Sequence, residues 1–365
     1  MEFSRPGRLR AFALCLLAGW GVSLLLPVAG FAQQNPPPAQ PAKPPQQKKA
    51  NPFETVPQGA APEPDQPAPA KPEAAKLAAD RTLASTDELS VVLARAEEIP
   101  NVLHEIGRLR EVTFRQVGEG TGRAVDLDAF DDHYWHLFVW NRQRGEVVGA
   151  YRLGPSEEIL TRSGAQGFYT SSLFHWKPSF LNRIRPALEL GRSFVRPEYQ
   201  KTYAPLLLLW KGIGQFLVRN PRYKVLFGPV SISNEYSLAS RELMVKFLSA
   251  YRQSPDLAPL VRARVPFRRR PSRVTVELLG AANRNVEELS ALIADVETDR
   301  KGVPILLKQY LKLGGELAAF NVDRNFAGAI DGLIVVDLRK TDVRLLERYM
   351  GKDGAADFLS TEPPQ

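Results

Sequence analysis

Leu188-Glu-Leu-Gly-Arg-Ser-Phe-Val-Arg-Pro-Glu-Tyr199 is the stretch on which the reading of this chain turns. Its first eight residues read as an apolar strand that nonetheless carries an acid, Glu189, and a cation, Arg192, with Gly191 between them. A carboxylate inside an apolar strand is costly to bury unless it is paired or used. On a regular strand residues three apart face opposite sides, but Gly191 permits a bulge that would turn Glu189 and Arg192 toward one cleft. Such a kink also frees backbone N–H groups, which can hold an oxygen on which negative charge develops.

On the C-terminal side, a leucine-rich segment, Pro205 to Val218, predicts a helix with proline in its first turn, where the missing N–H costs little. Upstream, Leu89 to Ala94 reads as a strand. Pro100 to Val117 reads as a helix, with Val102, Ile106, Leu109 and Val112 near a 3.6-residue period. His136 to Trp140 and Glu146 to Leu153 read as a hairpin around Asn141-Arg-Gln-Arg-Gly145. Gly154 to Pro186 is a longer excursion in which Gly167 to Phe174 reads as a strand or turn. Downstream come a strand at Tyr223–Phe227 closed by Gly228-Pro229, and a helix capped by Ser233 or Asn234 and running to about Ala250. Helices near Val286–Glu297 and Pro304–Leu313 and strands at Glu316–Val322 and Leu333–Leu338 complete the pattern. The early hairpin makes the expected sheet mixed rather than purely parallel.

The 365-residue chain divides by composition. Residues 1–32 carry Arg5, Arg8 and Arg10 ahead of an apolar run from Leu9 to Val28, and Gly30-Phe31-Ala32 fits a cleavage site; the segment reads as a signal peptide or a membrane anchor. A start assigned too far upstream would leave a cytoplasmic protein instead. Residues 33–80, rich in Pro, Ala, Gln and Lys, read as a disordered tether. Residues 81–355 are the expected folded domain and 356–365 a tail. The one cysteine, Cys15, lies in the leader, which excludes disulfides, a thiol nucleophile and cysteine-based metal sites from the domain. A net charge of +8 suits acidic partners, such as anionic lipid or an acidic protein, and no nucleic-acid motif is present.

Further polar residues sit in or beside apolar elements. Arg110 lies on the first helix with Phe114 one turn on; Asp128 and Asp131 follow in a loop; Arg152 ends the second hairpin strand. Singly, each has an ordinary reading as a snorkelling arginine or a loop cap. Together, Asp128-x-x-Asp131 after an Arg/Phe helix, Arg152 after Val147-Val-Gly149, and Glu189-x-x-Arg192 resemble the acyl-homoserine-lactone synthases, acyl-carrier-protein-dependent members of the GCN5-related N-acetyltransferase (GNAT) fold. A nearer resemblance, to the ornithine-lipid-synthase and hemolysin-like branch, rests on Phe114 to Gly122, Asp131-Asp-His-Tyr-Trp-His-Leu137, Glu189 to Val195, Leu206-Leu-Leu-Leu-Trp-Lys-Gly-Ile213, Leu226 to Ser233, Val303 to Tyr310 and Gly315 to Asp337, and spans about residues 83–355. It implies an α+β, GNAT-like fold: a mixed, mostly antiparallel sheet flanked by helices, with a bulged central strand. It also implies transfer of a fatty or 3-hydroxyfatty acyl group from acyl carrier protein to the amine of an amino acid or aminolipid, with no bound cofactor or metal.

In that role Glu189 is the expected base, since attack on a thioester needs a neutral amine and burial raises a carboxyl pKa. Arg192 joins it as a catalytic residue. Arg110, Arg152, Asp128, Asp131 and Ser193 are the expected substrate contacts, the arginines holding a carboxylate or phosphate by forked hydrogen bonds. The loop Arg196-Pro-Glu-Tyr-Gln-Lys-Thr-Tyr-Ala-Pro205 contains no glycine where acetyl-CoA-using members carry a glycine-rich pyrophosphate loop. A single phosphopantetheine phosphate on Arg196 or Lys201 fits better, which favours a carrier protein over CoA as donor. His133 and His136 are too oppositely placed on a strand to suggest a metal, and Val117-Gly-Glu-Gly-Thr-Gly122 reads as a lid or turn rather than a phosphate loop. The Arg262–Arg273 cluster reads as a solvated face or a docking site for acidic carrier or lipid. A membrane-bound location is expected, with a cytoplasmic or exported domain as alternatives. A non-catalytic binding module of the same fold and a synthase of a diffusible N-acyl signal are the competing readings.

Overall fold

The computed structural model describes residues 71–77, 81–268 and 284–361. The expected leader, most of the tether, the second half of the arginine cluster and the last four residues lie outside them. The main sheet contains eight strands: β1 Thr82–Ser85, β2 Leu89–Ala94, β3 Trp135–Asn141, β4 Glu146–Pro155, β6 Ala187–Val195, β7 Val225–Ile232, β9 Glu316–Asp323 and β10 Ala329–Asp337. Their order across the sheet is β1-β2-β3-β4-β6-β7-β10-β9. Every neighbouring pair is antiparallel except β6 and β7. A separate two-stranded ribbon joins β5 Phe174–Trp176 to β8 Val261–Ala263.

Two helices cover the sheet on opposite faces. Helix α2, Pro100–Gln116, places Val102, Ile106 and Leu109 against Phe138, Ala150 and Phe194. Helix α5, Ala204–Arg219, packs Leu209, Ile213 and Phe216 with Leu137, Val139 and Tyr151. The face under α2 is the front of the sheet. A short helix, α1 Lys71–Lys76, occupies the end of the stretch whose composition reads only as tether. The Glu73 carboxylate accepts the exposed backbone N–H groups of Asn101 (3.0 Å) and Val102 (2.9 Å), capping α2, whose own N-terminus has no side-chain cap.

The site is set by how β6 leaves its neighbours. Against β4, Arg152 pairs with Gly191 and Ala150 with Phe194, so three residues of β6 span two of β4. This is the expected bulge, but its left-handed residue is Arg192, at φ 52°, not Gly191. Against β7, the parallel pairing covers only Ala187–Glu189 with Val225–Phe227, and beyond it the two strands part. Gly228 sits at the fork: a Cβ there would lie 2.1 Å from the Leu190 carbonyl oxygen, so only glycine lets the strands start so close.

Several expectations need correcting. Arg152 lies within β4, not at its end, because β4 runs on to Pro155. Strand β7 continues through Gly228-Pro229 to Ile232, with Pro229 opposite Leu333; proline is tolerated at a free edge, and β7 has no partner on its β6 side from Gly228 onward. Helix α6, Leu238–Tyr251, is capped by Ser237, whose hydroxyl accepts the Ser240 N–H, rather than by Ser233 or Asn234. The excursion after β4 holds two helices, α3 Ser156–Ser163 and α4 Pro178–Ile184, with single turns of tight helix at Gly164–Gly167 and Tyr169–Ser172 between them. The helix Lys352–Ser360 runs from the end of the expected domain into the first half of the expected tail, with Phe358 fully buried.

Candidate active site

Three arginines and three aspartates meet on the front face, before the bulge and almost out of water. Arg110, from α2, donates to Asp131 Oδ1 at 2.8 Å. Arg152, from β4, donates to Asp128 Oδ1 at 2.6 Å and lies 3.4 Å from Asp131 Oδ1. Arg192, from the bulge, reaches Asp126 Oδ2 at 3.0 Å and Asp128 Oδ2 at 3.1 Å. Asp128 therefore bridges Arg152 and Arg192, and Asp131 bridges Arg110 and Arg152. The loop carrying the acids is fixed in turn: Asp131 Oδ2 accepts the Asp128 N–H, and Asp128 Oδ1 accepts the Phe130 N–H. Burial opposes ionisation of Asp131, yet Arg110 and Arg152 hold its carboxyl well below the usual range. Buried charges survive only when paired in this way. The left-handed backbone of Arg192, unfavourable by ~1–2 kcal/mol for a residue with a Cβ, is held by these two carboxylates and by the rings of Tyr169 and Phe326, 4.5 and 4.4 Å from the guanidinium carbon.

Glu189 stands beside this network, not in it. Its Oε1 accepts the Thr170 N–H at 2.8 Å; its Oε2 accepts the Tyr169 N–H at 3.1 Å and the Tyr134 hydroxyl. The side chain is fully enclosed, and burial pushes its pKa up, against the pull of these hydrogen bonds and of Arg152. Tyr134 and Tyr169 separate it from the arginines: the Arg152 guanidinium lies 4.9 and 5.2 Å from their ring centres. Glu189 thus anchors the Tyr169–Ser172 turn, and every oxygen it has is engaged.

Other expected residues fall elsewhere. Ser193 is on the opposite face, next to the Tyr151 hydroxyl, because the bulge puts both Arg192 and Phe194 forward. Arg196 is committed to Glu146 (2.8 Å) and Glu198 (3.1 Å). Lys201 is exposed at the head of α5. His136 is buried and neutral, its pKa pushed down to about 4 by burial; His133 meets the Gly167 carbonyl at 2.9 Å. No group of metal-binding side chains forms among the described residues. The Gly118–Gly122 segment is a held turn: the buried Glu111 carboxylate accepts the Thr121 N–H (2.9 Å) and hydroxyl (2.6 Å) and the Gly122 N–H (2.9 Å).

A second acidic group, not foreseen from the sequence, faces the opening from the far side. Asp331, on β10, lies opposite Ser231 of β7 and accepts its hydroxyl at 2.7 Å. Asp323, on β9, lies 3.5 Å from the Tyr169 hydroxyl. Burial and the neighbouring Asp323 push Asp331 up to about 7; burial, with Asp331 and Glu235, pushes Glu119 up to about 8. Asp126 was also missed, though it stands two residues before Asp128 in the same loop.

A parallel strand pair that parts beside a bulge, with buried guanidinium groups facing the gap, defines an acyltransferase of the GNAT type. The acetyltransferase (GNAT) domain model matches residues 109–210, from α2 into α5. The chain belongs to the family that contains the glycine and L-ornithine N(alpha)-acyltransferases. It is 32% identical over 265 residues to the glycine N(alpha)-acyltransferase of Bacteroides thetaiotaomicron, covering 69% of this chain and 78% of that protein. It is 29% identical over 257 residues to the L-ornithine N(alpha)-acyltransferase of Rhodobacter capsulatus, covering 66% and 88%. Among solved structures, a CoA-dependent acyl-homoserine lactone synthase matches 72% of this chain and 95% of its own at 12% identity, with a TM-score of 0.34, too loose a likeness to add to the assignment.

Proposed function

We propose that this acyltransferase moves a fatty acyl group from the phosphopantetheine thioester of acyl carrier protein to the α-amine of an amino acid. The observation that carries this is the fork between β6 and β7, which opens directly beside the bulge and the buried Arg152–Asp128–Arg192 bridge. A thioester lying in the fork would meet the backbone freed by the bulge, the kind of preorganised donor that stabilises a carbonyl oxygen as it becomes negative. The relatives are named for glycine and L-ornithine, which supports a free amino acid as acceptor.

The donor end supports a carrier protein. The Arg196 N–H is taken by the Val148 carbonyl, residues 197–199 form a tight turn, and α5 opens Ala204-Pro205 without glycine. That leaves little bare backbone for a pyrophosphate, while Lys201 is free to meet one phosphate. The net charge of +8 suits an acidic carrier. An N-acylated amino acid is amphiphilic, and the apolar Leu9–Val28 run supports work at a membrane surface, with the product entering lipid.

The test is direct. Purified protein is given hexadecanoyl carrier protein or hexadecanoyl-CoA with glycine or ornithine, and products are read by mass. An N-acyl amino acid is expected, formed faster from the carrier protein. Absence of any N-acyl product from all four combinations would favour the non-catalytic binding module.

A further inference from the structure

We propose that Asp331 is the general base that deprotonates the acceptor amine in this site. The inference rests on the acyl-transfer reading above and assigns one residue within it.

The front face carries seven carboxylates near the fork, and six are engaged or set back. Asp128 and Asp131 accept hydrogen bonds from guanidinium groups, and Asp126 lies 3.0 Å from the Arg192 guanidinium on the arginine side of the fork. A carboxylate held against a fixed cation attracts a second cation, such as an ammonium, less strongly. Glu189 has its oxygens taken by two backbone N–H groups and a tyrosine hydroxyl. Asp323 accepts the Asn325 N–H at 2.8 Å on one oxygen and faces the Tyr169 hydroxyl with the other. Glu119 belongs to the Gly118–Gly122 turn outside the sheet, near enough to Asp331 and Asp323 for their charges to raise its pKa. Asp331 stands on a strand beside the fork with an oxygen to spare: Oδ1 accepts Ser231, and Oδ2 has no hydrogen-bond partner among the described residues.

The place follows from the register. Ser231 is four residues past Phe227, the last residue of β7 that pairs with β6, so it borders the open side of the fork. Arg192 is three residues past Glu189 on the other bank. Asp331 is opposite Ser231, on the same face as Leu333 and Val335, which pack with Phe168 and Phe227 beneath Glu189. An amine entering between the banks has Asp331 on one side and the Arg192 bulge on the other.

The charged and titratable surroundings suit a base. Burial and Asp323 push Asp331 up to about 7, while the Ser231 hydroxyl and Arg192 pull it down; Glu119 and Tyr169 are the other titratable groups beside it. A base poised near the working pH is the most effective one. In the reaction Asp331 takes one proton from the acceptor ammonium and passes it to solvent. The freed lone pair forms the C–N bond, the C–S bond breaks, and the second nitrogen proton leaves with the thiolate as thiol. Ammonium plus thioester thus gives amide, thiol and one proton.

Asp331→Asn keeps the shape and the Ser231 hydrogen bond. The expectation is a kcat lower by about 10²–10⁴ with both glycine and ornithine, with KM for the acyl donor within threefold of the parent. The rising limb of kcat/KM near pH 7 should disappear. Ser231→Ala is the second variant: losing a hydrogen bond that lowers the Asp331 pKa moves that limb to higher pH. A kcat within fivefold of the parent, a loss confined to KM for ornithine, or a limb unmoved by Ser231→Ala would overturn the assignment. These outcomes are read only where the parent makes N-acyl product, so a parent inactive with every donor and acceptor condemns the acyl-transfer reading instead.

Discussion

Glu189→Gln keeps the length and shape of the side chain but replaces one acceptor by a donor. Both carboxylate oxygens now accept backbone N–H groups, from Thr170 at 2.8 Å and Tyr169 at 3.1 Å. However the amide is turned, its NH2 faces one of those N–H groups; the less costly turn puts it at the Oε2 position, where the Tyr169 N–H keeps the Tyr134 hydroxyl as acceptor at 2.9 Å. That turn still removes the charged acceptor from buried donors, at about 1–3 kcal/mol. At roughly 2–4 °C per kcal/mol for a domain approaching this size, the unfolding midpoint falls by about 2–12 °C. Circular dichroism during heating, at pH 7.5, reads the shift. The folded fraction at 25 °C should keep kcat within about tenfold of the parent, because with Asp331 as the proposed base the part of Glu189 is to support the Tyr169–Ser172 turn. A midpoint within 2 °C of the parent, with kcat reduced a hundredfold or more, would return the base to Glu189.

Other outcomes rest on the same geometry. Asp128→Asn leaves Arg152 and Arg192 without their shared counter-charge, which should cost about 3–5 kcal/mol; adding Arg192→Met should restore part of it, and chemical denaturation of the single and double variants measures the coupling. Gly228→Ala forces a Cβ to within 2.1 Å of the Leu190 carbonyl, so the parallel strands must shift apart; activity should fall along with the melting midpoint. Asp331 and Glu119 have pKa values raised to about 7 and about 8, so between pH 4 and 8 the folded chain holds protons that the unfolded chain has released. Stability is therefore fullest at the acid end of that window and declines as pH rises through it. Asp331→Asn should raise the melting midpoint more at pH 8 than at pH 5.

Much of the fold was legible in the sequence because the signals were local. The hairpin, the α2 periodicity, the leucine-rich α5 with its first-turn proline and the acid within the Leu188–Val195 strand are each local, and Gly191 beside that acid points to the bulge. The features that were not legible depend on the third dimension. An acid in an apolar strand reads as the mark of a base. Whether Glu189 is free or wrapped depends on Tyr134 and on the turn at Tyr169, 55 and 20 residues away in sequence. The same signal is present at Asp331, in Ala329-Ile-Asp-Gly-Leu-Ile-Val-Val336, but the apolar run reads as a strand only from Leu333, which leaves the acid outside it. Asp126 looked like one more loop residue until Arg192 turned back through a left-handed backbone to reach it. Ser193 illustrates the cost of a bulge for period-two reasoning: one extra residue sends each side chain after it to the other face.

Where acyl transfer takes place can be read from a crystal structure of the chain with a bisubstrate analogue, an N-acyl amino acid joined at its carbonyl carbon to phosphopantetheine. The joined carbon is expected in the fork between β6 and β7, its oxygen toward the backbone at Gly191–Arg192 and its nitrogen against Asp331. An analogue bound away from the fork, for instance in the hollow lined by Trp176, Arg185 and Arg264, would contradict that placement.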